Sequence, residues 1–337
     1  MSKYKFIKSL PGEPEHIAFY NFPKKIYDLE SPRFKYGNDP VKQHLKGCYT
    51  MYQNDESVGR FSLYENPELS YQGERTATIG SYECINDLEV SKALLDYAKS
   101  IMQAQEYTWV IGPMEGSTWN NYRFSDNNDY PNFFLEPYHH SYYPKQFINA
   151  GYQAISKYYS NLVESVELNL DKLEEYEKHY AEQGAIFRKI NLDDFTSELK
   201  KIAKVSLEGF SSNFLYTSIS VDDFVTKYKK LEQLFDPDLI WIVEDSKREI
   251  HAFVFCIKDY MDSTNNTLIL KTIVRKQSSK FKKIGSYLAN KTISMAKNGG
   301  YTKIIHALMI TDNKSVELSR KHAGNHYKNY SLFGQKL

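Results

Sequence analysis

The chain has 337 residues, of which 41% are hydrophobic and 25% charged, and its formal net charge is +1. This length accommodates two domains or one large one, and the composition is that of an ordinary globular protein. The near-zero charge gives no global field for nucleic acid or an anionic membrane, and no apolar run reaches the ~20 residues that span a bilayer.

Residues 1–45 are rich in aromatic residues and proline, with little periodicity. Strands are predicted over 47–53, 58–64 and 76–84. Val90, Ala93, Leu94, Tyr97 and Ile101 recur at helical spacing, which predicts an amphipathic helix over 89–105. Trp109-Val110-Ile111 reads as a short buried strand ended by Gly112-Pro113. Residues 112–151 hold many aromatic, Asn and Pro residues without periodicity. So long an aromatic loop is usually functional or packs on a second domain. A strand over 157–169 and a charged helix over 171–184 follow.

A second series then begins. It contains a strand at 187–190, helices over 193–210 and 221–235, and strands over 239–243 and 250–257 joined by a polar turn. Next come a strand at 267–274 and a helix over 285–298, stopped by Gly299-Gly300. A strand at 303–309, a helix at 313–322 and a final strand at 330–337 complete the chain. Both halves run antiparallel strands, helix, strand. That order predicts a degenerate tandem repeat of α+β type, with domains at 1–165 and 186–337 and a connector at 166–185.

The segment between the 267–274 strand and its helix carries the clearest chemistry. Lys271, Arg275, Lys276, Lys280, Lys282 and Lys283 occur with no acidic residue among them. A strand, a basic turn and a helix N-terminus direct free amides and the helix dipole at one place, which suits a ligand with several phosphates. Neither GxGxxG nor GxxxxGK[ST] is present, so a dinucleotide fingerprint and a P-loop are excluded. The corresponding turn of the first half, Ile85-Asn86-Asp87-Leu88-Glu89, is acidic and repels a pyrophosphate. No GxSxG hydrolase elbow occurs. Cys48, Cys84 and Cys256 show no CxxC spacing, which argues against a zinc ribbon and fits buried thiols in a reducing compartment. The first residues lack a signal-peptide core, so a cytoplasmic location is expected. In the aromatic loop, Glu136 lies between Leu135 and Pro137 as a partly desolvated carboxylate and a candidate base, or as a structural group paired with Arg123. His139 and His140 are adjacent and point apart in an extended chain, so no metal is expected.

With these residues in view, positions 186–337 resemble the GNAT superfamily of acyl-CoA-dependent N-acyltransferases. That family's motif, Gln/Arg-x-x-Gly-x-Gly/Ala between a strand and a helix, falls here on Lys280-Phe281-Lys282-Lys283-Ile284-Gly285. Gly285 matches, whereas Lys280 and Lys283 depart, the latter where Gly is usual. A strand followed by a helix-opening Asn is matched by Ala307–Ser315, with Asn313 as that residue. Many relatives carry a Tyr as general acid at the place held here by Arg320, which leaves Tyr327 or Tyr330 as substitutes.

The first half resembles bacterial tandem-GNAT proteins through Gly112-Pro113-Met114, Ser117-Thr118-Trp119, Tyr122-Arg123, Phe133–Pro137, Tyr142-Tyr143-Pro144 and Ala150-Gly151-Tyr152. The resemblance implies acyl-CoA, most simply acetyl-CoA, held by Thr272, Ile273, Val274, Lys280, Phe281, Lys282, Lys283, Ile284, Gly285, Ser286 and Asn313. It implies an acceptor amine of a small molecule or peptide, in a pocket walled by Trp119, Arg123, His139, Tyr142 and Tyr143. A strand amide at Ile273 or Val274 would support the oxyanion. Two other readings stay open: an aminoacyl transferase using aminoacyl-tRNA, and a non-catalytic acyl-CoA-binding module.

Overall fold

The computed structural model describes residues 3–36, 39–126, 129–164, 170–311, 317, 319 and 324–337. The first half comprises β1 (Lys5–Ser9), α1 (His16–Asn21), α2 (Pro23–Ile26), β2 (Leu45–Gln53), β3 (Glu56–Tyr64), β4 (Ser70–Tyr71), β5 (Glu74–Cys84), α3 (Leu88–Gln103), β6 (Trp109–Gly112), β7 (Phe124–Ser125), α4 (Tyr143–Asn149) and β8 (Gln153–Val163). The second comprises α5 (Leu170–Glu182), β9 (Ile186–Lys189), α6 (Phe195–Phe210), α7 (Val221–Lys229), β10 (Ile240–Glu244), β11 (Ile250–Lys258), β12 (Thr267–Arg275), α8 (Ile284–Asn298), β13 (Lys303–Ile310) and β14 (Asn325–Lys336).

The strands join in one sheet, in the order β1-β2-β3-β5-β6-β14-β8-β13-β12-β11-β10-β9. The order is a palindrome about the β14–β8 pair, with β1 answering β9, β2 answering β10 and so on inward. Only β5–β6 and β12–β13 run parallel, one pair in each half. The two halves exchange their last strands. β8 ends the first half but pairs with β13, while β14 pairs with β6 of the first half. At the centre β8 and β14 lie antiparallel, Tyr158 opposite Tyr330.

Period-two alternation explains the second half. Along β11, Ala252, Val254 and Cys256 face α5 and α8, whereas Phe253 faces α6 and α7. Both faces are covered by helices, so β11 reads as a continuous apolar run. In the first half α3 lays Val90, Leu94, Leu95, Ala98 and Met102 over Phe61, Ile79 and Met51. A further cluster joins the halves. Ile111, Met114 and Leu69 of the first pack with Leu215 of the second and with Tyr330 of the exchanged strand.

Several elements differ from the sequence reading. β1, α1 and α2 occupy the N-terminal region that shows no clear period, and α4 lies inside the aromatic loop. β8 begins four residues earlier than expected and ends at Val163. Of the expected helix at 313–322 only residues 317 and 319 are described, both helical, and Asn313 and Arg320 lie outside the described residues.

Candidate active site

The parallel pair β12–β13 holds register only from Thr267↔Lys303 to Leu270↔His306. Beyond that the strands part. On the other side of β12, Phe255 faces Thr272 while Cys256 faces Leu270, so Lys271 is the extra residue of a β-bulge. The first half repeats the device, with a register shift between β3 and β5 and Ser81 at φ 45°. Both openings face one cavity of about 770 Å³ between the halves.

Trp119, Arg123, Glu136 and His139 from the aromatic loop line this cavity, together with Thr272 and Ile273 of β12. The indole Nε1 of Trp119 donates to the Thr217 carbonyl at 2.8 Å, and its ring meets Phe210, Tyr216 and Phe224 edge-on. It therefore ties the loop to the second half as well as walling the cavity. His139 is buried with both ring nitrogens engaged. Nε2 accepts from the Ser125 amide at 2.7 Å, which fixes the Nδ1–H tautomer, and Nδ1 lies 2.9 Å from the His140 carbonyl. Burial holds its pKa down at about 4. A neutral ring so engaged offers a substrate only its edge.

Glu136 is buried and pairs with Lys328, not with Arg123. It accepts two contacts from the Lys328 ammonium (3.0 and 2.8 Å) and one from the Tyr330 hydroxyl at 2.7 Å. The Asn132 amide at 2.7 Å and the Phe133 N–H at 3.2 Å complete the set. Burial raises its pKa, and Lys328 opposes the rise. Four donors make five contacts to the carboxylate, which leaves no free lone pair for an incoming proton.

Other expected site residues lie elsewhere. Tyr142 and Tyr143 belong to the core of the first half: the Tyr142 hydroxyl donates to the Cys84 carbonyl at 3.0 Å, and that of Tyr143 meets Tyr27 at 3.1 Å. Their side chains do not line the cavity, because the turn into α4 directs them at α3 and β5. Tyr330 is fully buried between Glu136 and Ser160. Tyr327 packs against Tyr130 at a tilt, outside the cavity. Val274, Phe281 and Ile284 are core side chains, so only their backbone faces a ligand.

The basic turn divides into engaged and free cations. Arg275 bonds the Gln277 and Ser279 carbonyls, and Lys276 pairs with Glu249 and Glu208. Lys280, Lys282 and Lys283 form no ion pair among the described residues. Lys283 takes φ 60°, the left-handed backbone that Gly usually supplies, so the turn keeps its shape despite the side chain. It caps α8 without a side-chain bond. The Ile284 and Gly285 amides have no acceptor among the described residues, and a Cβ on Gly285 would meet nothing within 4 Å. At the equivalent place in the first half, the Asp87 carboxylate takes the Glu89 and Val90 amides at 2.8 and 3.0 Å. One helix end is open to an anion and the other is filled.

Two parallel strands that part at a bulge, joined by a helix, are built once on each side of a sheet with exchanged end strands, and only the helix of the second half has an open N-terminus. Solved structures share the overall fold across the chain. A tandem GNAT protein from the clavulanic acid biosynthesis pathway matches with a TM-score of 0.52 at 10% identity, over 99% of this chain and 98% of that one. The chain has a tandem GNAT fold. A GCN5-related N-acetyltransferase from Sphaerobacter thermophilus matches with a TM-score of 0.53 at 8% identity, covering 100% of this chain and 96% of that one. A GCN5-related glucosamine N-acetyltransferase region of a fungal multi-domain GH3 β-N-acetylglucosaminidase gives 0.59 at 11% identity, over 98% of this chain and 38% of that longer one. No family model and no curated protein matches the sequence. No helix of the described residues is long and apolar enough to cross a membrane.

The GNAT fold brings to the cavity three residues that sequence reasoning passed over as site groups. Lys271 counted there only as one of six basic residues, yet it is a lone charge in the apolar strand Leu268–Val274, which is the signal that marks it. Glu115 is buried in the cavity wall, where it accepts from Ser81 at 2.8 Å and Asn121 at 3.2 Å; burial raises its pKa. Lys227 of α7 reaches Asn120 at 2.9 Å from the far side.

Proposed function

We propose that the protein transfers an acyl group, most simply acetyl, from coenzyme A to an amine, with acyl-CoA held by the second half alone. The observation that carries this reading is the bulged, parted β12–β13 pair leading to the open N-terminus of α8. In this reading the pyrophosphate lies against the Ile284 and Gly285 amides with Lys280, Lys282 and Lys283 around it. The pantetheine arm enters between β12 and β13, and the thioester reaches the cavity beside Lys271–Ile273. A β12 amide in this stretch, Ile273 or its neighbour, supports the oxyanion.

The thioester is already activated, so the protein supplies position, a proton acceptor and oxyanion support. The amine nitrogen attacks the thioester carbon, the tetrahedral adduct collapses, the C–S bond breaks and CoA leaves as the thiolate. The nitrogen's proton goes to a base. Glu136 is saturated by donors, so we assign that role to Glu115, which has two donors on two oxygens and a pKa raised by burial.

Release of free CoA from acetyl-CoA, followed with a panel of primary amines and product mass, tests the activity. Binding without release across the panel would reduce the protein to an acyl-CoA-binding module. Glu115→Gln should lower kcat by roughly 10²–10⁴-fold with CoA affinity kept. Glu136→Gln should instead lower stability, because it leaves the Lys328 charge buried without its partner.

A further inference from the structure

We propose that the central cavity holds a binding site for a substrate carboxylate, formed by Lys271 and Arg123. Its place in catalysis rests on the acyl-transfer reading, but the site itself does not.

Lys271 is held in the cavity wall by the β12 bulge, and its ammonium makes no hydrogen bond or ion pair among the described residues. Arg123 comes from the opposite side, at φ 69°, with its guanidinium between the rings of Tyr122 and Tyr158 (4.0 and 4.4 Å). Its Nη1 donates to the Leu308 carbonyl on β13 at 3.3 Å. The residue is only 7% exposed, and its buried Nε has no partner. Two cationic groups with unused donors therefore border one cavity.

The obvious counter-ion is already taken. Glu136 is the acidic group that acts on Lys271, and it is paired with the Lys328 ammonium at 2.8 Å and bonded by Tyr330. Lys271 and Lys328 thus share one carboxylate, and Arg123 makes no ion pair among the described residues. The cavity is also lined by His306 of β13, bound to Ser319, by His139, with both nitrogens engaged, by Tyr122 and Tyr158 against Arg123, and by Glu115 and Lys227. Burial, and then the Arg123 charge, hold the Lys271 pKa down at about 7, against the pull of Glu136. Unpaired cations in a cavity wall, Arg123 buried and Lys271 partly buried, are costly to fold around, so an arrangement of this kind is poised for a ligand that supplies the missing charge. The surrounding tyrosines favour a small singly charged group over a hydrated polyanion.

A carboxylate has two possible sources. It is carried by the acceptor, as in an amino acid or peptide, or by the end of the acyl chain, as in a dicarboxylic acyl-CoA. Both bring it beside the bulge, next to the proposed thioester position.

Calorimetry with acetate as probe and acetamide as its neutral match tests the site without CoA or turnover. Acetate should bind saturably and acetamide should not. Binding should be accompanied by proton uptake, and affinity should fall about thirtyfold between pH 6 and pH 8.5, because the free lysine is charged below its pKa and neutral above it. Lys271→Met should lose at least about tenfold in affinity together with the pH dependence. Lys271→Arg, which keeps a charge and length close to the native side chain, should retain binding and lose only the pH dependence. Equal binding of acetate and acetamide, or a Lys271→Met protein with unchanged affinity and pH profile, overturns the proposal. So does the absence of saturable acetate binding in a folded, CoA-releasing protein, a result that leaves acyl transfer intact. The source follows from competition. Acetate displaced by succinyl-CoA but not by acetyl-CoA assigns the carboxylate to the acyl chain. Acetate that binds beside acetyl-CoA, with glycine preferred to glycinamide in turnover, assigns it to the acceptor.

Discussion

At the scale of single residues, His139 is the side chain whose chemistry is most tightly fixed. Its Nε2 lone pair takes the Ser125 amide, and burial lowers its pKa to about 4. In the unfolded chain the same ring titrates near 6.5. Between these values the unfolded state binds more protons, so stability is fully present above about pH 6.5 and is lost as pH falls toward 4. The separation corresponds to about 3 kcal/mol at most. Urea unfolding of the native protein and His139→Gln at pH 7 and pH 5 should show the larger acid loss in the native protein. The same loss in both would place the acid sensitivity elsewhere. The loop position of His139 was legible in the sequence. Its partner Ser125 lies 14 residues away across a turn with no periodic signal, so the locked ring was not. The same holds more strongly for Glu136, whose partner Lys328 is 192 residues distant and arrives on an exchanged strand.

At the scale of elements, α3 and α8 are counterparts that differ at one end. Asp87 fills the N-terminus of α3 with its own carboxylate, whereas Lys283 leaves that of α8 open. The expected consequence is one equivalent of CoA per chain, bound through the second half. Lys280→Glu combined with Lys283→Glu removes two charge-assisted contacts worth roughly 1.5–3 kcal/mol each. CoA affinity should fall by at least about 10²-fold in calorimetry, while the fold persists because neither side chain has an ion-pair partner to lose among the described residues. A stoichiometry of two, or an unchanged affinity, would refute the assignment. This contrast was readable from the acidic and basic turns alone, since strong periodicity fixed both helices to within two residues. Short elements were not readable. α1 and α4 have six and seven residues, less than two full turns each, too few to establish a period.

At the scale of the molecule, the exchange of β8 and β14 decides how the protein holds together. The repeat was visible in the order of elements, but the exchange was not, because both strands have the same alternation whichever neighbour they join. β6 pairs on one side with β5 of its own half and on the other with β14, the last strand of the chain. β13 likewise depends on β8. Either half alone would expose an unpaired edge in the middle of the sheet and lose the inter-half cluster of Ile111, Met114, Leu215 and Tyr330. The two halves should therefore unfold in one cooperative transition. Trp109 reports on the first half, and Trp241, bonded to Tyr287 at 2.9 Å, reports on the second. Single-tryptophan variants that keep one or the other, with Phe at the remaining two positions, should give coincident urea transitions by fluorescence and circular dichroism. A fragment of residues 1–164 should not fold independently. Two separated transitions, or a cooperatively folded fragment, would mean that the first half is stable without its borrowed strand.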